Sequence, residues 1–127
     1  MTTLEHSLTS YFGIINTEEL ALITSLFRVE ILKKGDYFLH TGRSCDKLSF
    51  IKSGFLRIYV ETAHKEVTQW IATPGYFITD LSSFMLQQPA RWTIQALNEV
   101  EIYTIDRTNY DKLKTLVPKW TELEKMF

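Results

Sequence analysis

The sequence predicts a mainly β protein with flanking helices, built on an antiparallel sandwich or barrel, and three observations carry that prediction. Seven short segments between Arg28 and Ile105 are rich in β-branched and aromatic residues, which suit a pleated, half-buried surface. Turn-forming pairs and charged tips separate neighbouring segments at close spacing, as in hairpins. Helical patterning lies outside this stretch, towards the two ends of the chain.

Taken in order, residues 1–27 form an N-terminal helical segment. In NTEELALITSLF, Asn16 or Thr17 is the N-cap, Glu18 and Glu19 sit near the positive end of the helix dipole, and Leu20, Ile23 and Phe27 share a stripe. From Arg28 the period changes. RVEIL, YFLH, KLSFIK, FLRIYV, KEVTQWIA, RWTIQAL and VEIYTI read as strands of a β body spanning residues 28–105. Gly35-Asp36 and Ser53-Gly54 join neighbouring strands, ETAHKE is a charged hairpin tip, and Pro74-Gly75 suits a type II turn.

The stretch GYFITDLSSFMLQQPARWTIQAL leaves that turn, passes a short serine-rich piece and re-enters a strand after Arg91. Within it, DLSS is a helix start with Asp80 as cap. Residues 106–127 are closing helices: Asp106 caps one carrying Tyr110 and Leu113, and Pro118 falls where the first turn of another tolerates a missing N–H. Trp120, Leu123 and Phe127 recur on one face of that last helix, which ends with no glycine cap, no basic last turn and no following proline. The expectation is a dimer helix that continues past residue 127, its apolar stripe covered by a partner subunit.

A chain of 127 residues suits one domain, here 1–127. The apolar share of 45% and the charged share of 23% are those of an ordinary globular protein. No apolar run reaches the roughly 20 residues of a spanning helix, and MTTLEHSLTS lacks a basic start followed by an apolar stretch, so neither membrane insertion nor export is expected and the cytoplasm is the expected compartment. Net charge is −1 with Lys and Arg scattered, which argues against a nucleic-acid surface on this domain.

The sole cysteine, Cys45, excludes an internal disulfide, and with no base in sight it is a bystander thiol. His6, His40 and His64 form no His-x-His pair and no HExxH helix, so no metal site is expected. There is no phosphate loop of the nucleotide-hydrolase kind and no G-x-S-x-G elbow, so catalysis has no starting point and no enzyme is expected.

The order helix, short strands, closing helices resembles the cyclic-nucleotide-binding domain of the catabolite-activator (Crp/Fnr) family of bacterial transcription regulators. The likeness runs from Glu18 to Phe127. Its marks are Gly54 of KSGFLRIY, the passage PGYFITDLSSF, and the spacing from Asp80 to IQAL at residues 94–97. The resemblance implies a β-roll or jelly-roll of the double-stranded β-helix type that senses an effector, a last helix that makes a homodimer, and a winged helix-turn-helix beyond residue 127 that contacts DNA.

The resemblance also places a phosphate-binding cassette, Phe-Gly-Glu, a short helix, then Arg-Ser/Thr-Ala, on the quoted stretch. There glycine admits the ligand, glutamate accepts from the ribose hydroxyl and arginine pairs with phosphate. In this chain Thr79 takes the glycine's place, Asp80 the glutamate's, Ala90 the arginine's, Arg91 the serine's and Trp92 the alanine's.

Thr79 puts a β-branched side chain where positive φ or close approach is needed, and Asp80 is one methylene short. Arg91 replaces the missing arginine only through a one-residue slip, which on a strand turns a side chain to the opposite face unless an irregularity, such as Pro89 permits, precedes it. Trp92 brings an indole where a methyl is expected, and Trp70 stands on the strand leading into the cassette. Both are expected to fill the pocket as core residues. Arg57, between Phe55 and Tyr59, is a second source of positive charge, although such an arginine more often lays its stem on an apolar neighbour.

The candidate ligand-binding residues are therefore Thr79, Asp80, Ser82, Ser83, Arg91 and Thr93, with Trp70 and Trp92 as pocket fillers. The resulting expectation is an effector-sensing and dimerisation domain of a Crp/Fnr-like regulator that does not bind cyclic AMP in the usual way. Its effector is an unidentified small molecule, and no cofactor is expected. The alternative is a stand-alone binding or scaffolding domain with a closed pocket that acts through protein contacts.

Overall fold

A computed structural model describes residues 3–13 and 16–125 of the chain. Two helices, α1 (Thr3–Phe12) and α2 (Thr17–Ser25), precede the strands β1 (Arg28–Leu32), β2 (Tyr37–Leu39), β3 (Lys47–Ser53), β4 (Leu56–Glu61), β5 (Glu66–Ala72) and β6 (Phe77–Ile78). A short helix α3 (Leu81–Leu86), strands β7 (Thr93–Ala96) and β8 (Val100–Asp106), and helices α4 (Arg107–Leu116) and α5 (Trp120–Glu124) follow. The strands form two four-stranded antiparallel sheets, ordered β1-β8-β3-β6 and β2-β7-β4-β5. This is the expected β-roll, open rather than a closed barrel.

Alternation along the strands builds two cores. Inside the roll, Leu32, Phe38, Leu39, Ile51, Leu56, Ile58, Ile78, Ile94, Val100 and Ile102 interdigitate. On the outer face of the β1-β8-β3-β6 sheet, Leu48, Phe50 and Ile105 pack against Leu4, Leu8, Leu20, Ile23, Tyr110, Leu113, Val117 and Trp120 from the helices. Within the first sheet, the fully buried hydroxyls of Ser49 and Thr104 satisfy each other at 2.7 Å.

The caps follow the sequence reading. Asn16 accepts from Glu19 N, Asp80 from Ser83 N and Asp106 from Asn109 N. Strand β7 is shorter than the RWTIQAL segment predicts, because Arg91 and Trp92 lie in an irregular lead-in.

Gly54 takes φ +89° in the turn between β3 and β4, and a Cβ there would meet Glu99 O and lie 2.8 Å from Val100 Cα. The same turn is clamped to the β7–β8 connection, with Phe55 N donating to Asn98 Oδ1 at 2.9 Å and Leu97 N to Phe55 O at 3.0 Å. Only a residue without a side chain lets the two turns approach this closely.

The dimer-helix reading needs a correction at Trp120. Its side chain is 1% exposed and packs edge-to-face on Tyr110 at 6.1 Å, so the domain's own helical core covers it and it offers no surface to a partner. The α4–α5 corner folds α5 back on α4, and the apolar stripe starts as core. Phe127 and the side chain of Leu123 lie outside the described residues.

Candidate functional site

The segment from Thr79 to Thr93 is held almost entirely by its own surroundings. Asp80, 1% exposed, accepts from Ser83 N at 3.2 Å through one carboxylate oxygen and from Arg91 N at 2.8 Å through the other. A single carboxylate thus caps α3 and closes the segment back on itself. Ser83, also buried, accepts from Cys45 N at 2.7 Å, and Ser82 is half-buried beside it in the first turn. Ala90, 3% exposed, exchanges backbone bonds with the β2–β3 loop: Ala90 N donates to Arg43 O and Gly42 N to Ala90 O, each at 2.8 Å.

The remaining candidates lie apart, Thr79 just after β6 of one sheet and Thr93 at the start of β7 of the other. Thr79 donates to Lys47 O at 3.0 Å, and its hydroxyl lies 3.4 Å from Cys45 Sγ. The positive φ feared for Thr79 is not required: among the described residues Gln87, at φ 56°, is the only non-glycine with positive φ, and it ends α3. Thr93 is buried and bonded to Thr41 through both the Thr41 amide, at 3.2 Å, and its hydroxyl, at 2.8 Å. Alternation puts it on the face opposite Ile94, away from the roll interior. Arg91 is exposed, with its guanidinium 5.6 Å over the Trp92 ring.

The two tryptophans meet at the mouth of the roll, edge to face at 5.3 Å. Trp92 is half-buried against the interior cluster. Trp70 is 44% exposed, which corrects the expectation that it is core. The reason is topological: β5 is the outer strand of its sheet, so an indole aligned with Ile58 reaches the rim and not the centre. Arg57 lies on the outer face, over the Tyr59 ring at 4.2 Å and paired with Glu66 at 2.8 Å. Burial, reinforced by a hydrogen bond with Tyr37, pushes the Tyr59 hydroxyl up to about 12.

Sequence reasoning missed the link between this segment and the closing helices. Arg107 donates through Nη2 to Phe84 O and lies 4.5 Å over the Phe84 ring, which packs edge-to-face on Tyr110 at 4.9 Å. Tyr110 in turn donates to Glu124 at 2.6 Å; burial and that carboxylate raise its pKa above the ordinary tyrosine value. The signal was present: a cation in the first turn opposes the helix dipole, so an arginine directly after the Asp106 cap has another use.

Two clefts, of about 240 and 340 Å³, are lined by no residue of this segment. One is lined by residues around the start of β1 and β3, the other by His6, Ser7, Ser10, Pro74 and Gly75. Among the described residues no group of three or more His, Cys, Asp or Glu is placed to hold a metal, and no helix is long and apolar enough to cross a membrane.

A family model described as "Cyclic nucleotide-binding domain" matches residues 29–115, which covers both sheets, the Thr79–Thr93 segment and most of α4. The chain belongs to the cyclic nucleotide-binding domain family. Among solved structures it is similar to a cyclic nucleotide-binding domain from Methylobacillus flagellatus, at 18% identity and a TM-score of 0.84 over 98% of this chain and 71% of that one.

It is also similar to the catabolite activator protein of Thermus thermophilus, at 20% identity and TM-score 0.79, over 91% of this chain and 54% of that protein, so it spans about half of that relative. The N-terminal domain of a transcriptional regulator from Streptomyces coelicolor A3(2) matches at 20% identity and TM-score 0.79, over 99% of this chain and 86% of that one. No curated protein sequence matches. At these identities the likeness to solved structures establishes the fold.

Because both Asp80 oxygens are committed to backbone donors, one buried and one part-buried, Asp80→Ala is expected to destabilise the domain by about 2–3 kcal/mol, from lost capping and unsatisfied amides. Asp80→Asn, which keeps one acceptor oxygen, is expected to lose less. Urea titrations of both variants check this, and equal stability of Asp80→Ala and the parent rules the closure out.

Proposed function

We propose that this chain is the effector-sensing domain of a Crp/Fnr-like transcription regulator whose roll does not hold cyclic AMP in the family's usual way. In this reading it works as a homodimer in the cytoplasm, and DNA is contacted by a further domain of the protein. The observation that carries the reading is the closure at Asp80. The carboxylate in the place of the ribose-binding glutamate is 1% exposed and spends both oxygens on Ser83 N and Arg91 N.

The phosphate side is closed in the same manner. Ala90 stands where the resemblance puts the arginine and is sewn by its backbone to Arg43 and Gly42. Arg91 does not replace it, since its side chain is exposed and rests on Trp92. Each charged hydrogen bond forgone is worth roughly 1.5–3 kcal/mol, or about 10- to 150-fold in affinity. The signalling half of the reading rests on Arg107, Phe84 and Tyr110, which join α3 to α4 and α5. An effector that shifts α3 shifts the population of C-terminal helix positions by its differential affinity for them.

Titration calorimetry with cyclic AMP and cyclic GMP tests the proposal. The expected result is no saturable binding of either nucleotide at micromolar concentration. Micromolar cyclic AMP affinity that is lost in Arg91→Ala overturns it.

A further inference from the structure

We infer that the cleft at the start of β1 and β3 is a binding site for a small organic ammonium ion with an apolar body, lined by no residue of the Thr79–Thr93 segment. The cleft holds about 240 Å³ and is lined by Arg28, Phe38, Leu39, Ser44, Cys45, Asp46, Lys47 and Asp106. That space suits a ligand smaller than a drug-sized molecule, for which cavities run from roughly 300 Å³ upward.

Charge bookkeeping selects the sign of the ligand. Arg28 is engaged by two carboxylates, Glu30 at 2.9 Å and Asp106 at 3.2 Å. Lys47 lies 3.8 Å from Glu30 and 4.6 Å over the Phe38 ring. Both wall cations are therefore already neutralised. Asp106 also accepts from Asn109 N. Asp46 is exposed and, among the described residues, forms no ion pair, so the uncompensated charge facing the cleft is negative. An ammonium group pairs with Asp46, while a small apolar body meets the edges of Phe38 and Leu39 that line the cleft, the rest of both side chains being buried.

The walls connect the cleft to α3 and to α4. Cys45 N donates to Ser83 Oγ, and Cys45 Sγ contacts Thr79 Oγ1. Asp106 caps α4, and Asp46 O accepts from Arg107 N at 2.9 Å. A ligand that presses on Cys45 and Asp46 acts on α3 and on the first turn of α4 at once; this regulatory consequence, unlike the binding itself, rests on the sensor reading above.

The test is an amide NMR titration of the 127-residue chain with benzylamine, with benzyl alcohol and benzoate as probes of the same body with no charge and the opposite charge. Saturable shifts centred on Cys45, Asp46 and Lys47 are expected with benzylamine, with markedly weaker binding of the other two. Asp46→Asn is expected to weaken benzylamine roughly fivefold, as for a partly exposed ion pair.

Equal response to benzyl alcohol or benzoate, no effect of Asp46→Asn, or shifts centred on the Trp92 indole instead overturns the site. Shifts at Cys45 to Lys47 that leave the Thr79 and Ser83 amides stationary at saturation overturn the link to the segment. None of these outcomes bears on whether cyclic AMP binds, so the two proposals fail separately.

Discussion

Trp120→Ala is expected to lower the stability of the domain by about 3–5 kcal/mol, the range for truncating a large buried aromatic. The indole is 1% exposed and sits in the helical core with Tyr110, Leu113 and Val117. Its loss opens a cavity where α5 folds back on α4, and Tyr110 loses the ring that packs on its edge. The loss is expected to be independent of protein concentration, because the cover comes from the same chain. Urea unfolding monitored at two concentrations, far apart, checks both points. A change below about 1 kcal/mol, or one that vanishes on dilution, returns Trp120 to a subunit interface.

Gly54→Ala is expected to cost about 2–5 kcal/mol. Left-handed backbone accounts for roughly 1–2 kcal/mol with any side chain, and collision with rigid backbone adds roughly 1–3 kcal/mol. Gly35→Ala separates the contributions: Gly35 has the same φ of +89° but open space where its Cβ would stand. Thermal or urea unfolding is expected to rank Gly54→Ala well below Gly35→Ala. Equal losses show that the two turns yield to the added methyl.

Much of the fold was legible because its signals are local. The β-branched segments, the Ser53-Gly54 turn and the caps Asn16, Asp80 and Asp106 depend on a few neighbouring residues, and the structure has each of them. Cover is different, because it depends on where distant elements lie. Trp70 reads as core from its size, but strand order puts β5 at an edge; Trp120 reads as an interface residue from its periodicity, but the α4–α5 corner turns it inward.

The site was legible in part for the same reason. Asp80 as a cap follows from DLSS, whereas its second bond, to Arg91 N, spans eleven residues and an irregular segment. Thr93 is among the candidate ligand residues, and only its bonds to Thr41 reveal a structural use. Arg107 carried a readable oddity, a cation at the wrong end of a helix, but its acceptor, Phe84 O, is not encoded nearby.

The connection between β2 and β3 is exposed at most positions from His40 to Asp46, the sort of surface stretch that commonly accepts inserted residues. Here it does not have that freedom. Its amides and carbonyls at Gly42, Arg43 and Cys45 are spaced to meet Ala90 at one end of the neighbouring segment and Ser83 at the other. Lengthening it by one residue would break that spacing, so homologous chains that keep these stitches should keep this connection at constant length even where its composition drifts.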